Sequence, residues 1–161
     1  MSLARFWELR LSAGRRGIRF AGLAVLAALA FAACSLPASA ADVVLHVDNI
    51  RSSRGRVLAS LFTNRSTWLD QKQSFQDRSA PATAGCTTIV FHNVPPGNYG
   101  IAVMHDEMNR GGMVYSALGL PEQGYAFSQN VRPFLSAPSF SRAAFDVTGT
   151  QTVIDIRMVY P

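Results

Sequence analysis

The segment Val94–Gly112, VPPGNYGIAVMHDEMNRGG, sets His105, Asp106, Glu107 and Asn109 close together and closes on Gly111-Gly112. Three chemistries draw on such a set. A hard cation needs several oxygen ligands gathered by a glycine-permitted turn. Zinc or copper needs histidines at short spacing. Acid–base work needs two carboxyls that face one reacting group. The spacing serves none of them well. His46, His92 and His105 fall in separate segments, with no His-x-His or His-x₃-His pair. Asp106 and Glu107 are adjacent, and adjacent side chains at a strand end point apart.

Other chemistries fare no better. Cys86 opens CTTIVFHNV, which is unlike a catalytic cysteine segment, and its place in a strand points to a small buried hydrophobe. No Gly-x-Ser-x-Gly elbow occurs. Gly111-Gly112 lacks the following helix that a phosphate-cradling loop requires. An enzyme is therefore unsupported, and neither a metal nor another cofactor is expected. A metal-binding or metal-dependent protein centred on His105 and Asp106 stays as one alternative.

The elements that position these residues repeat with period two. In DVVLHVDNI, Val43, Leu45 and Val47 share a face, and in GRVLASLF so do Val57, Ala59 and Leu61. The polar link Arg51–Gly55 between them predicts an opening hairpin. CTTIVFHNV puts Ile89 and Phe91 inward; Pro95-Pro96-Gly97-Asn98 forms a turn; NYGIAVMH aligns Tyr99, Ile101 and Val103, with His105 on the same face. An edge strand is expected near Ser79–Ala84, a short one around Ala144–Val147, and a last one in TVIDIRMVY, with Ile154, Ile156 and Met158 aligned. Short strands, turn signals and almost no helical pattern predict a single all-β domain. Its form would be an antiparallel sandwich, immunoglobulin-like or transthyretin-like, with one long loop.

That loop, Asp106–Arg142, does not alternate. It is rich in glycine, proline, serine and aromatic residues, and long irregular loops are often functional. GYAFSQN is expected to pin it to the sandwich near His105 through Tyr125, Phe127 and Asn130, leaving Arg110, Tyr115 and Arg132 nearer the rim. The candidate binding face is therefore His105, Asp106, Arg110, Tyr115, Tyr125, Phe127, Asn130 and Arg132. The plainer reading is a lid that binds nothing. The functional reading is a non-enzymatic interaction or cell-envelope accessory module for a small molecule, glycan or protein. Aromatic rings among amides and arginines also suit a carbohydrate-binding module, which is the other alternative.

The N-terminus reads as a leader. Arg15, Arg16 and Arg19 precede an apolar run from Ala21 to Ala33, followed by Ala38-Ser39-Ala40. This is the pattern of a secretory signal peptide over residues 1–40, cut before Ala41. The run is short for a membrane span of roughly 20 residues. Lipidation at Cys34 and twin-arginine export through Arg15-Arg16 are weaker variants. The expected destination is the periplasm or beyond. Of 15 Lys+Arg, five fall in this leader with one of the 10 acids; residues 41–161 keep ten basic and nine acidic groups, a net of +1. The pI near 9.9 thus belongs largely to the leader and gives no argument for nucleic acid. With Cys86 alone left, the domain folds without an internal disulfide and holds no transmembrane segment.

GRVLASLF, VPPGNYGIAVMHDE, GLPEQGYAFSQN and APSFSRAAF, in that order, resemble the secreted bacterial family catalogued as domain of unknown function 2141. The resemblance spans nearly all of residues 41–161. It implies a prealbumin-like β-sandwich and carries no established activity. It also implies a calcium-type loop after His-Asp, with alternating Asn and Gly and a later Asp. Here His105, Asp106 and Gly111 match, whereas Met108, Arg110 and Val114 stand where oxygen ligands are expected. Calcium binding is therefore not expected in this chain.

Overall fold

The computed structural model describes residues 40–134 and 136–161. The leader expectation lies outside the described residues, although the first strand does begin at Ala41.

Eight strands follow the alternation. They are β1 (Ala41–Ile50), β2 (Arg56–Phe62), β3 (Gln76–Pro81), β4 (Gly85–Val94), β5 (Gly97–Asp106), β6 (Gly124–Phe127), β7 (Phe145–Val147) and β8 (Gln151–Arg157). One short helix, α1 (Phe140–Ala143), precedes β7. The strands form two packed sheets. One has the order β4-β1-β8; the other runs β3-β2-β5-β6, with β7 paired to the first residues of β5. The fold is an all-β sandwich, as the alternation predicts. All its strand pairs are antiparallel except β1 with β8, which run parallel. Val43, Leu45, Phe91 and Ile156 from the first sheet meet Val57, Leu61, Ile101 and Val103 from the second, all at most 3% exposed. Burial of apolar side chains on this scale is what holds two such layers together.

The expected opening hairpin does not form. β1 pairs with β4 and β8, while β2 pairs with β3 and β5, so the Arg51–Gly55 link crosses from one sheet to the other. The reason lies at the end of β5. Gly55 adopts φ +69°, and a Cβ there would sit 1.9 Å from the Asp106 carbonyl oxygen. The link is therefore held against β5, where the buried His105 takes its hydrogen bonds, and it leaves the β1 plane.

Three more expectations shift. The edge strand lies at Gln76–Pro81, three residues early, because its polar sequence carries no inward pattern to fix the register. Cys86 is exposed, since β4 turns Thr87, Ile89 and Phe91 inward and its even-numbered neighbours outward. The long loop is not one irregular stretch. It contains β6, whose Gly124 and Ala126 are buried, and α1.

The edge beside β6 is closed in an unusual way. Tyr125 and Val159 exchange backbone hydrogen bonds of 2.9 Å, so the chain beyond β8 joins the second sheet. The Asn130 side chain then substitutes for a neighbouring strand. Its Nδ2 donates to the Asp155 carbonyl at 3.1 Å, and its Oδ1 accepts from the Arg157 N–H at 2.7 Å. A free edge is a liability for edge-to-edge pairing, and the carboxamide covers part of it.

Gly55→Ala should lower stability by roughly 3 kcal/mol, because strain at positive φ adds to a backbone clash. Gly111→Ala, at φ +78° but with open space around it, should cost only about 1 kcal/mol. Chemical denaturation of both variants decides it; equal costs would remove the close approach of Gly55 to β5 as a constraint.

Candidate functional site

His105, Asp106 and Glu107 leave the same strand end in three directions. His105 is fully buried. Its Nε2 lies 2.9 Å from the Arg54 carbonyl, which can only accept, so Nε2 carries the proton and Nδ1 accepts from the Tyr160 hydroxyl at 2.8 Å. That hydroxyl accepts in turn from the Arg51 backbone N–H at 3.0 Å. The Arg51 guanidinium lies 4.6 Å from the centre of the Tyr160 ring and donates to Glu107 through Nε at 3.1 Å and Nη2 at 2.5 Å. Ser52 Oγ donates to the other Glu107 oxygen at 2.6 Å. Arg51 and then Ser52 pull the Glu107 carboxyl down to a pKa of about 2.

Asp106 faces the long loop. Its Oδ1 accepts from the Arg110 N–H at 3.0 Å and from Gln123 Nε2 at 3.2 Å, and its Oδ2 from the Gly111 N–H at 2.7 Å. Burial works against its charge, yet the N–H groups of Gly111, Arg110, Met108 and Asn109 outweigh it and hold the carboxyl below its usual range. The loop is thus folded around an anion. Three N–H donors take up most of its lone-pair directions. Among the described residues, no group of three or more His, Cys, Asp or Glu is placed to hold a metal ion.

The open feature lies on the other side of the second sheet. β2 and β5 are apolar on both faces, and the outward Leu58, Phe62, Ala102 and Met104 are covered by the long loop. Between sheet and loop runs a groove of about 670 Å³, with Tyr125 and Phe127 of β6 in its floor and Tyr115 and Leu120 in its wall. Trp68, from the link between β2 and β3, fixes one end. Its ring lies 5.2 Å from Phe62, 5.7 Å from Phe140 and 6.0 Å from Phe127, and its Nε1 donates to the Pro138 carbonyl at 2.7 Å. A second cavity of about 160 Å³ shares Tyr125, Phe127 and Pro133 with the groove and is also lined by Asn130, Arg132 and Arg157.

The eight candidate residues therefore do not form one face. Tyr115, Tyr125 and Phe127 line the groove, and Asn130 and Arg132 line the cavity beside it. His105 and Asp106 are buried and engaged by other parts of the chain, and Arg110 lines neither space. Trp68, Leu58, Phe62 and Met104 were absent from the candidates. A signal for Leu58, Phe62 and Met104 was present, since GRVLASLF and GIAVMH carry apolar residues on both parities; Trp68 lies outside those segments.

The Glu107 pKa sets an acid limit on stability. A carboxyl depressed from 4.5 to about 2 favours the folded state above pH 4.5 and loses that contribution as pH falls toward 2. Thermal melts of the wild type should drop through that window. Glu107→Gln, with nothing there to titrate, should start lower and fall less steeply; parallel curves would remove the Arg51–Glu107 pair as the cause.

Residues 45–155, from within β1 to within β8, match the family model described as an uncharacterised protein conserved in bacteria, DUF2141. Comparison with curated proteins and with solved structures finds no match. With the match covering well over half of its length, the chain belongs to the bacterial DUF2141 family.

Proposed function

We propose that this chain is an exported, non-enzymatic binding module of the cell envelope, and that the groove beneath the long loop is its binding face. The groove carries the reading. A face built of Leu58, Phe62, Ala102 and Met104 calls for cover, and the loop covers it while leaving a space of about 670 Å³. Pockets of roughly 300–1,000 Å³ with mostly apolar walls are the usual size and character of small-ligand sites. The catalytic reading gains nothing here, because the titratable residues of the motif are consumed in holding loops. Asp106 turns its oxygens to N–H donors, which weighs against the metal-centred alternative. The carbohydrate alternative has one observation in its favour: Tyr115 stands 60% exposed at the groove wall, as a stacking platform would.

Export rests on the leader pattern of residues 1–40 and its small-residue exit at Ala38-Ser39-Ala40. Among the described residues, no helix is long and apolar enough to cross a membrane.

Two measurements test the reading. The intact mass of protein recovered from an exporting host should correspond to a chain beginning at Ala41; a retained leader, or a lipid on Cys34, would overturn the processing proposed. The neutral apolar probe N-phenyl-1-naphthylamine should bind the folded domain and shift the methyl resonances of Met104 and Met113, which line the groove, while Met158 in the core stays unchanged. Ala102→Trp, which fills the groove from β5, should abolish those shifts without lowering the melting temperature. Binding on a glycan array with no probe binding would replace this reading by the carbohydrate one.

A further inference from the structure

We infer that the groove and the small cavity beside it together take a single-chain anionic amphiphile, a long-chain carboxylate, with its chain in the groove and its head at Arg132 and Arg157. The inference rests on the binding reading above and adds the class of ligand.

The groove specifies the body of the ligand. Among the described residues, no charged side chain lines it. Of its polar groups, the Ser60 hydroxyl is spent internally, donating to Asp77 Oδ1 at 2.6 Å. An ion placed there would lose water and meet no opposite charge, only the neutral polar groups of Gln71, Ser136 and the tyrosines, which favours an uncharged, largely apolar body. The loop that forms the wall also presents Tyr115, Leu118, Leu120 and Phe134 at 60–86% exposure. Such a concentration of exposed apolar side chains beside an apolar groove suits closure over a hydrocarbon chain.

The adjoining cavity specifies the head. Its charged lining residues are Arg132 and Arg157, both cationic. Among the described residues, neither has a carboxylate within ion-pair distance. Among the described residues, the Arg157 guanidinium makes one hydrogen bond, to Asn49 Oδ1 at 3.4 Å. Asn130 cannot serve as a ligand group, because both ends of its carboxamide are bound to the β8 backbone; it fixes the segment that carries Arg132. Two guanidiniums on one small cavity repel each other, and a carboxylate between them would relieve that repulsion and accept hydrogen bonds from both. Because Tyr125, Phe127 and Pro133 line both spaces, the two adjoin, and a ligand whose chain lies in the groove can carry its head past these residues to the arginines.

The test compares dodecanoate with dodecanol, both as monomers, by displacement of N-phenyl-1-naphthylamine near pH 8. Dodecanoate should bind about tenfold more tightly, the gain expected from a charge-assisted contact at a partly exposed site. Arg132→Gln combined with Arg157→Gln should erase that advantage and leave dodecanol and the melting temperature unchanged. Ala102→Trp should lose both ligands. Equal affinities in the wild type, or an advantage that survives the double variant, would overturn the inference while leaving the groove as a binding site. Failure of the probe, the alcohol and the carboxylate alike would sink the binding reading as well. Binding to phosphatidylglycerol vesicles but to neither monomer would also overturn it, by making this face a membrane-docking surface.

Discussion

A buried imidazole must satisfy both of its nitrogens, and in this sandwich that requirement brings three distant segments to one point. His105 lies one residue before the end of β5; the Arg54 carbonyl belongs to the link between β1 and β2; the Tyr160 hydroxyl comes from the C-terminal segment. Removing the ring would take from the Arg54 carbonyl its donor and from the Tyr160 hydroxyl its acceptor, at a cost on the order of 1 kcal/mol for each part-buried hydrogen bond. The same contact explains the topology. A hairpin between β1 and β2 would carry Arg54 away from β5, so the link crosses between the sheets instead. Gly55 permits the crossing because a side chain there would meet the Asp106 carbonyl.

The three consecutive side chains at the end of β5 divide the work by direction. His105 points into the core, Glu107 holds Arg51 and Ser52 of the crossing link, and Asp106 gathers the N–H groups of the long loop. One strand end thereby clamps two loops that leave it on different sides. A cluster of His, Asp, Glu and Asn resembles a catalytic or metal site because both need polar groups close together. Here the proximity serves backbone donors and acceptors that a β-sandwich leaves unpaired at its ends. The distinguishing fact is where the lone pairs point. Asp106 meets three N–H donors, so most of its lone pairs are spent on holding the loop.

Most of the fold was legible because a sandwich writes its core as alternation. Val43, Leu45 and Val47, or Ile101 and Val103, are buried as their parity requires. What alternation does not encode is which strand pairs with which. The β1–β2 link was short and polar enough for a hairpin, and only the contacts of His105 and Glu107, far off in sequence, show that it crosses. The parallel pairing of β8 with β1 is likewise absent from local pattern. β3 was misplaced by three residues because its exposed, polar side chains carry no parity. Of the site, Tyr115, Tyr125 and Phe127 were found as aromatics on an unusual loop. Leu58, Phe62 and Met104 were missed because alternation assigns only one face of each strand to the core, and here the opposite face is covered by a loop that alternation does not predict.

That error points to what the long loop is for. A sheet with one apolar and one polar face needs no cover, so a lid over a polar face would be dispensable. β2 and β5 are apolar on both faces, and the second layer over them is a loop built largely of backbone turns, proline and a few aromatic side chains. Such a layer cannot interdigitate as a second sheet does, and about 670 Å³ remains beneath it. The two ends of the loop are well fixed, one by Asp106 and Gln123, the other by Trp68 against Phe140 and Phe127. Between them Leu118 and Leu120 lie exposed, with little to pack against. The loop is tied to the sheet through β6 and closed on itself by the Ser116–Leu120 and Val114–Glu122 backbone hydrogen bonds, so the space beneath it is left by poor interdigitation of a turn-rich layer with a flat apolar face.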